Sequence, residues 1–198
     1  MIYRYTQLLG VFLVEPERQR DRRGWFARTF CTDEFGDLGM ATAFAQCSAS
    51  FSAGRGTLRG LHYQAAPAEE AKLVRCVQGA VFDVAVDIRP DSPSFGRWVS
   101  AELSALNGHM LYIPQGFAHG FQTLTNNSEL FYQISVPYRP ELSAGIRWDD
   151  PDIAIDWPIT DAILSDRDRT LPYLAEAVAP VHGSAIPIPH GVAASSAG

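Results

Sequence analysis

Apolar and polar residues alternate with a period of two through much of residues 8 to 136, in short runs that Gly, Pro, Asn or Ser interrupt. The clearest run is Val81 to Arg89. Phe82, Val84, Val86 and Ile88 fall on one face, and Asp83, Asp87 and Arg89 on the other, which predicts a strand with one greasy and one polar side. Thr57 to Gln64, Ala71 to Gln78, Arg97 to Leu103 and Glu129 to Ser135 read the same way. Short strands at this spacing predict an all-β sandwich or barrel of antiparallel strands. The best early helix is Thr32 to Leu38, with Thr32 as its expected N-cap and acidic residues in its first turn.

Beyond residue 138 the texture shifts to Pro, Trp and Asp, then to a polar stretch around Leu164 to Pro172, and predicts a C-terminal extension wrapped back over the barrel. Residues 1–175 read as a single domain. Residues 176–198, rich in Ala, Gly, Pro and Ser, read as a flexible tail. A chain of 198 residues can bury a core without disulfides or a structural metal. Its net charge of −6, with no basic tract, argues against binding nucleic acid through phosphates. No apolar run approaches the roughly 20 residues of a membrane-spanning helix, and the N-terminal stretch carries no small-residue cleavage signal. Cys31, Cys47 and Cys76 show no CxxC spacing, and the expectation is buried or inert thiols in a reducing cytoplasm.

Candidate chemistry starts from composition. Of 16 Lys and Arg side chains only Lys72 is a lysine. In a chain so biased toward arginine, a lone lysine suggests a task that needs a compact ammonium; the competing reading is a chance residue on a solvated face. Lys72 is in phase with Val74, Cys76 and Gln78 on its strand, and His62 with Gly60 and Gln64, the glycine leaving room for a ligand. An imidazole and an ammonium in one pocket suit proton abstraction beside a carbonyl, the histidine taking the proton and the cation stabilising the enolate oxygen. His119 lies in a Pro-x-Gly-x-x-His arrangement that occurs in metal-binding cupin barrels. The His-x-His pair that normally accompanies it is replaced by His62-Tyr63-Gln64, which argues against a metal. Tyr132 sits on a strand face with Leu130 and Ile134, and Asp168 in a polar segment where it could orient His62. Arg23, Arg28 and Arg59 offer forked donors for a diphosphate or another dianion.

With these residues in view, the chain resembles the dTDP-4-dehydrorhamnose 3,5-epimerase family of cupin-fold enzymes. The resemblance is carried by Arg23-Gly-Trp-Phe26, Gly56 to Gln64 with its Leu-Arg-Gly-Leu-His-Tyr-Gln, Lys72-Leu-Val-Arg-Cys76, Gly79 to Arg89, Tyr112 to Phe121, Trp148-Asp-Asp-Pro151, Trp157-Pro158 and Ser165-Asp-Arg-Asp168. It implies a double-stranded β-helix, or jelly-roll barrel, with short peripheral helices. It also implies a homodimer that acts on a dTDP-linked 4-keto-6-deoxyhexose without cofactor or metal, inverting C3 and C5. His62 would be the general base, Asp168 its partner, Lys72 the enolate stabiliser, and Tyr132 the acid on the opposite face. Nucleotide contacts would fall to Arg23, Gln46, Arg59 and His119, with Tyr138 stacking on the thymine.

The chain departs from the family at Ser48 and Ser52, where asparagines are frequent, at Arg28, where a carboxylate is often found, and at Arg167, where a lysine often precedes the final aspartate. Ser48, Arg28 and Arg167 join the expected substrate contacts, and the exact sugar stays open. The alternatives are a C3-only epimerase, a metal-dependent cupin and a non-catalytic sugar-nucleotide binder.

Overall fold

The computed structural model describes residues 1–178. Its order is β1 (Ile2–Tyr5), β2 (Phe12–Glu15), β3 (Gln19–Asp21), β4 (Gly24–Phe26), α1 (Thr32–Asp37), β5 (Gln46–Ser52), β6 (Leu58–Gln64), β7 (Lys72–Gln78), β8 (Ala80–Asp87), β9 (Trp98–Ser104), β10 (Met110–Ile113), β11 (Phe117–Thr123), β12 (Ser128–Ile134), β13 (Ser143–Gly145), α2 (Asp166–Arg169) and α3 (Leu174–Ala177). A six-stranded sheet, β1-β2-β10-β7-β12-β5, faces a five-stranded sheet, β13-β6-β11-β8-β9, while β3 and β4 pair as a separate hairpin. Sheet neighbours far apart in sequence, such as β2 with β10 and β6 with β11, give the jelly-roll connectivity.

The core between the sheets takes Val74, Cys76, Leu111, Ile113 and Leu130 from one side and Val81, Ala85, Leu103, Phe117 and Phe121 from the other. On β8 this reverses the expected orientation. The face that carries Asp83 and Asp87 also carries Val81 and Ala85, and it is the one turned into the barrel; both aspartates are fully buried. Phe82, Val84, Val86 and Ile88 point outward and are covered by Ile146, Ile153, Trp157 and Leu174 of the C-terminal extension. The extension wraps over the barrel as expected, and it is the reason that the greasy face lies outside. The other sheet is covered on its outer face by α1 and its flanks, where Phe35 and Met40 pack on Phe12, Leu73 and Tyr112.

Helix α1 is present, but its N-cap is Cys31 rather than Thr32, and no side chain caps it. Of the thiols expected to be buried or inert, Cys76 is buried, Cys31 half-buried and Cys47 exposed; all three are free. Helix α3 carries the described chain past residue 176, and the remainder of the expected tail lies outside the described residues.

Candidate active site

A cavity of about 610 Å³ opens between the sheets, lined by residues of β5, β6, β7, β11 and β12 and by the segment that leads into α2. Its architecture turns on a bulge in β6. His119 of β11 pairs with His62 of β6, yet Phe121 pairs with Arg59, so three residue steps on β6 oppose two on β11. Strict alternation would send Arg59 and His62 to opposite faces; the extra residue lets both line the cavity. Gly60, at the bulge, has φ +142°, and a Cβ there would stand 2.6 Å from Gly120 Cα. The missing side chain therefore makes room for the backbone of β11, not for a ligand as the alternation suggested.

His62 Nε2 lies 2.7 Å from Asp168 Oδ1. Asp168 is delivered by α2, whose N-cap Ser165 accepts the Asp168 N–H at 3.1 Å. Burial pushes the Asp168 carboxyl up, but the hydrogen bond and charge of His62, with help from Ser165 and the Gly60 N–H, hold it below the usual carboxylate value. An ionised Asp168 accepts from Nε2–H, which fixes the tautomer and leaves Nδ1 with its lone pair. The His62 side chain keeps 36% of its surface exposed while that of Asp168 keeps 5%, so the imidazole is open to the cavity and the carboxylate beside it is nearly enclosed.

Lys72 projects from β7 on the opposite sheet and reaches across, donating to the His62 carbonyl at 3.4 Å and pairing with Glu70 at 2.8 Å. Tyr132, on neighbouring β12, shares a hydrogen bond with Ser50 at 3.0 Å. Its phenol is pushed well above the ordinary tyrosine value, chiefly by burial, and stays protonated. The Tyr132 ring meets the His119 ring edge-on at 6.0 Å, and His119 Nε2 lies 2.9 Å from Asp83 Oδ1. Asp83 Oδ2 is buried with no hydrogen-bond partner among the described residues. Among those residues no three His, Cys, Asp or Glu side chains are grouped to hold a metal ion.

Of the expected contacts, Ser48, Arg59, His119, Tyr138 and Arg167 line this cavity with the four proposed catalytic residues. Arg59 donates to the Phe51 carbonyl at 3.0 Å, and Arg167 to Ser143 Oγ at 2.9 Å. Three expected contacts are not brought to it. Gln46 accepts the Tyr138 N–H at 2.8 Å and so supports the rim without lining the cavity. Arg23 extends from the β3–β4 hairpin, 85% exposed and paired with Asp21, and Arg28 pairs with Glu34 of α1 at 3.0 Å. Sequence reasoning missed Glu70, Asp83 and Ser143. The signal for Glu70 was a carboxylate two residues before the lone lysine, and for Asp83 a carboxylate on the same strand face as Ala85.

The sequence matches the family described as dTDP-4-dehydrorhamnose 3,5-epimerase over residues 5–176. The chain belongs to this family. It is 44% identical over 177 residues to the dTDP-4-dehydrorhamnose 3,5-epimerase of Sinorhizobium fredii, covering 89% of this chain and 91% of that one. The Escherichia coli dTDP-4-dehydrorhamnose 3,5-epimerase is 47% identical over 175 residues, covering 87% and 94%. Among solved structures, the Legionella pneumophila 3,5-epimerase in complex with dTDP-4-keto-L-rhamnose superposes with a TM-score of 0.83 at 40% identity, covering 87% of this chain and 92% of that one. The expected cupin-type jelly roll is thus the fold of this epimerase family member.

Proposed function

We propose that the protein converts dTDP-4-dehydro-6-deoxy-D-glucose to dTDP-4-dehydro-L-rhamnose by removing and returning protons at C3 and C5, the carbons that flank the C4 ketone. The observation that supports this reading is an imidazole and a phenol standing on facing sheets around one cavity. His62 stands on β6 with its tautomer set by Asp168, and Tyr132 stands on β12 with its phenol held protonated. A sugar ring between them presents one face to each.

Nδ1 of His62 takes the C3 proton, and the C–H electron pair moves into the ring to form an enolate whose negative charge sits on the C4 oxygen. The Lys72 ammonium stabilises that oxygen. Tyr132 then delivers a proton to C3 from the other face and is recharged from solvent, and the same cycle runs at C5. Arg59, His119, Ser48 and Arg167 hold the nucleotide and sugar, and Tyr138 stacks on the thymine at the rim. Gln46 acts one step away, through the Tyr138 backbone. Nothing in this sequence of steps calls for a cofactor.

We infer a cytoplasmic homodimer. Arg23 and Arg28 lie outside the cavity of their own chain, and the β3–β4 hairpin displays Trp25 and Phe26 at 50% and 75% exposure. An exposed apolar hairpin flanked by arginines suits docking on a second copy, with Arg23 directed to the partner's bound diphosphate. Three free cysteines suit a reducing compartment.

The decisive experiment follows dTDP-4-dehydro-6-deoxy-D-glucose by NMR in D₂O with the enzyme. Deuterium entering C3 and C5 with inversion at both is the expected result. Labelling at C3 alone would make this a single-position epimerase, and no labelling would overturn the epimerase reading.

A further inference from the structure

Lysine is a poor residue for fixing a charge in space. Its four-carbon stem is flexible, and ordering it costs rotamer entropy. Lys72 nevertheless has to present its ammonium at one point, the C4 oxygen, in the reading proposed above. Two acceptors hold it. The His62 carbonyl is a distant one at 3.4 Å, and Glu70 Oε1 is a close one at 2.8 Å. Both side chains of the ion pair are about nine-tenths buried, at 10% and 11% exposure, and Glu70 lines the same cavity as Lys72. The chain places Glu70 two residues before Lys72, just ahead of the start of β7.

We propose that Glu70 is the positioning residue for Lys72. It provides the anion that a largely desolvated ammonium requires, and it locks the lysine stem so that the remaining N–H donor is aimed at the substrate oxygen. Part of the ammonium's charge is spent on the carboxylate. What the enzyme gains is aim, and a misplaced group of about 1 Å can cost on the order of a hundredfold in rate. Glu70 acts through Lys72 and takes no proton itself. This proposal rests on the epimerase reading for its effect on turnover, but the ion pair can be examined without any substrate.

Because Lys72 is the sole lysine, full-length protein grown with ¹⁵N-lysine gives a single side-chain Nζ signal from this chain. In the wild-type protein its ammonium protons are expected to exchange slowly with water, and in Glu70→Ala at least about tenfold faster. In turnover assays Glu70→Ala is expected to lose about tenfold to a hundredfold in kcat with KM changed less than about twofold. Glu70→Gln keeps the size and one acceptor oxygen, and is expected to fall between the two, which also guards against a variant that fails to fold. If wild type turns over but Glu70→Ala matches it in Nζ exchange and in kcat, the positioning role is overturned while the epimerase reading stands. If wild type shows no exchange at C3 or C5, that reading falls, and the Nζ signal alone still decides whether Glu70 holds the lysine.

Discussion

Nε2 of His62 is taken by Asp168 at 2.7 Å, so the imidazole can act on substrate through only one nitrogen. This makes His62→Ala a clean deletion of the proposed base. Deuterium exchange at C3 and C5 should fall by about 10²- to 10⁴-fold, the range general-base catalysis contributes, while dTDP affinity measured by calorimetry stays within about twofold. Exchange at the wild-type rate would remove His62 from the mechanism. Tyr132→Phe separates the two half-reactions. It leaves the ring that packs against His119 and deletes the hydroxyl bonded to Ser50. Proton removal by His62 should continue, and washed-in deuterium should return mainly to the face it left, so that labelling outpaces inversion. Labelling and inversion both at the wild-type rate would show that Tyr132 serves only as packing. Lys72 could be singled out by composition because it stands alone in an arginine-rich chain. Glu70 could not, because its importance is a distance of 2.8 Å and not a residue count.

At the scale of elements, the bulge in β6 and the connection from β8 to β9 do the most. Period-two reasoning located β6, β7, β8, β9 and β12 because side-chain alternation is a local property of an extended backbone. It could not register the bulge, which exists only because β11 pairs with β6 in a particular register. Nor could it orient β8, since which face of a strand is inside depends on what covers the other. The aspartates of β8 are tolerated inside because each finds partners: Asp83 pairs with His119, and Asp87 accepts from Arg89, Ser92 and Ser94. Burial raises the Asp87 carboxyl, but these bonds pull it down from an ordinary 3.8 to about 2. A carboxyl depressed in the folded state adds stability above its unfolded value and loses it as pH falls through the folded one. Asp87→Asn should therefore cost roughly 2 kcal/mol at pH 7, a difference that shrinks between about pH 4 and 2. Urea unfolding across that range would test it, and a pH-independent difference would refute the charge-based account.

At the scale of the molecule, the cavity of one chain contains the proposed base, acid and enolate stabiliser but not Arg23 or Arg28. If a second copy supplies Arg23, then His62→Ala and Arg23→Ala homodimers are each inactive or weak for different reasons. In a mixed dimer, one of the two sites joins an intact His62 to an intact Arg23. Unfolding and refolding equal amounts together should restore about a quarter of wild-type activity. No recovery from a mixture that forms heterodimers would confine Arg23 to its own subunit or to no role at all.

The strand-rich class, the covering extension, the family motifs and nine of the residues that line the cavity were legible in the linear chain. Alternation, turn residues and the short segments around His62, Lys72 and His119 are carried by neighbours in sequence. Contacts across the barrel decided the rest. They turned the polar face of β8 inward, aimed Arg59 and His62 together through a bulge, set Glu70 against Lys72, and left Arg23 and Arg28 outside. Each depends on the pairing of strands distant in sequence, or on the packing of an outer layer, and pairing and packing are properties of the assembled sheets that no local pattern encodes.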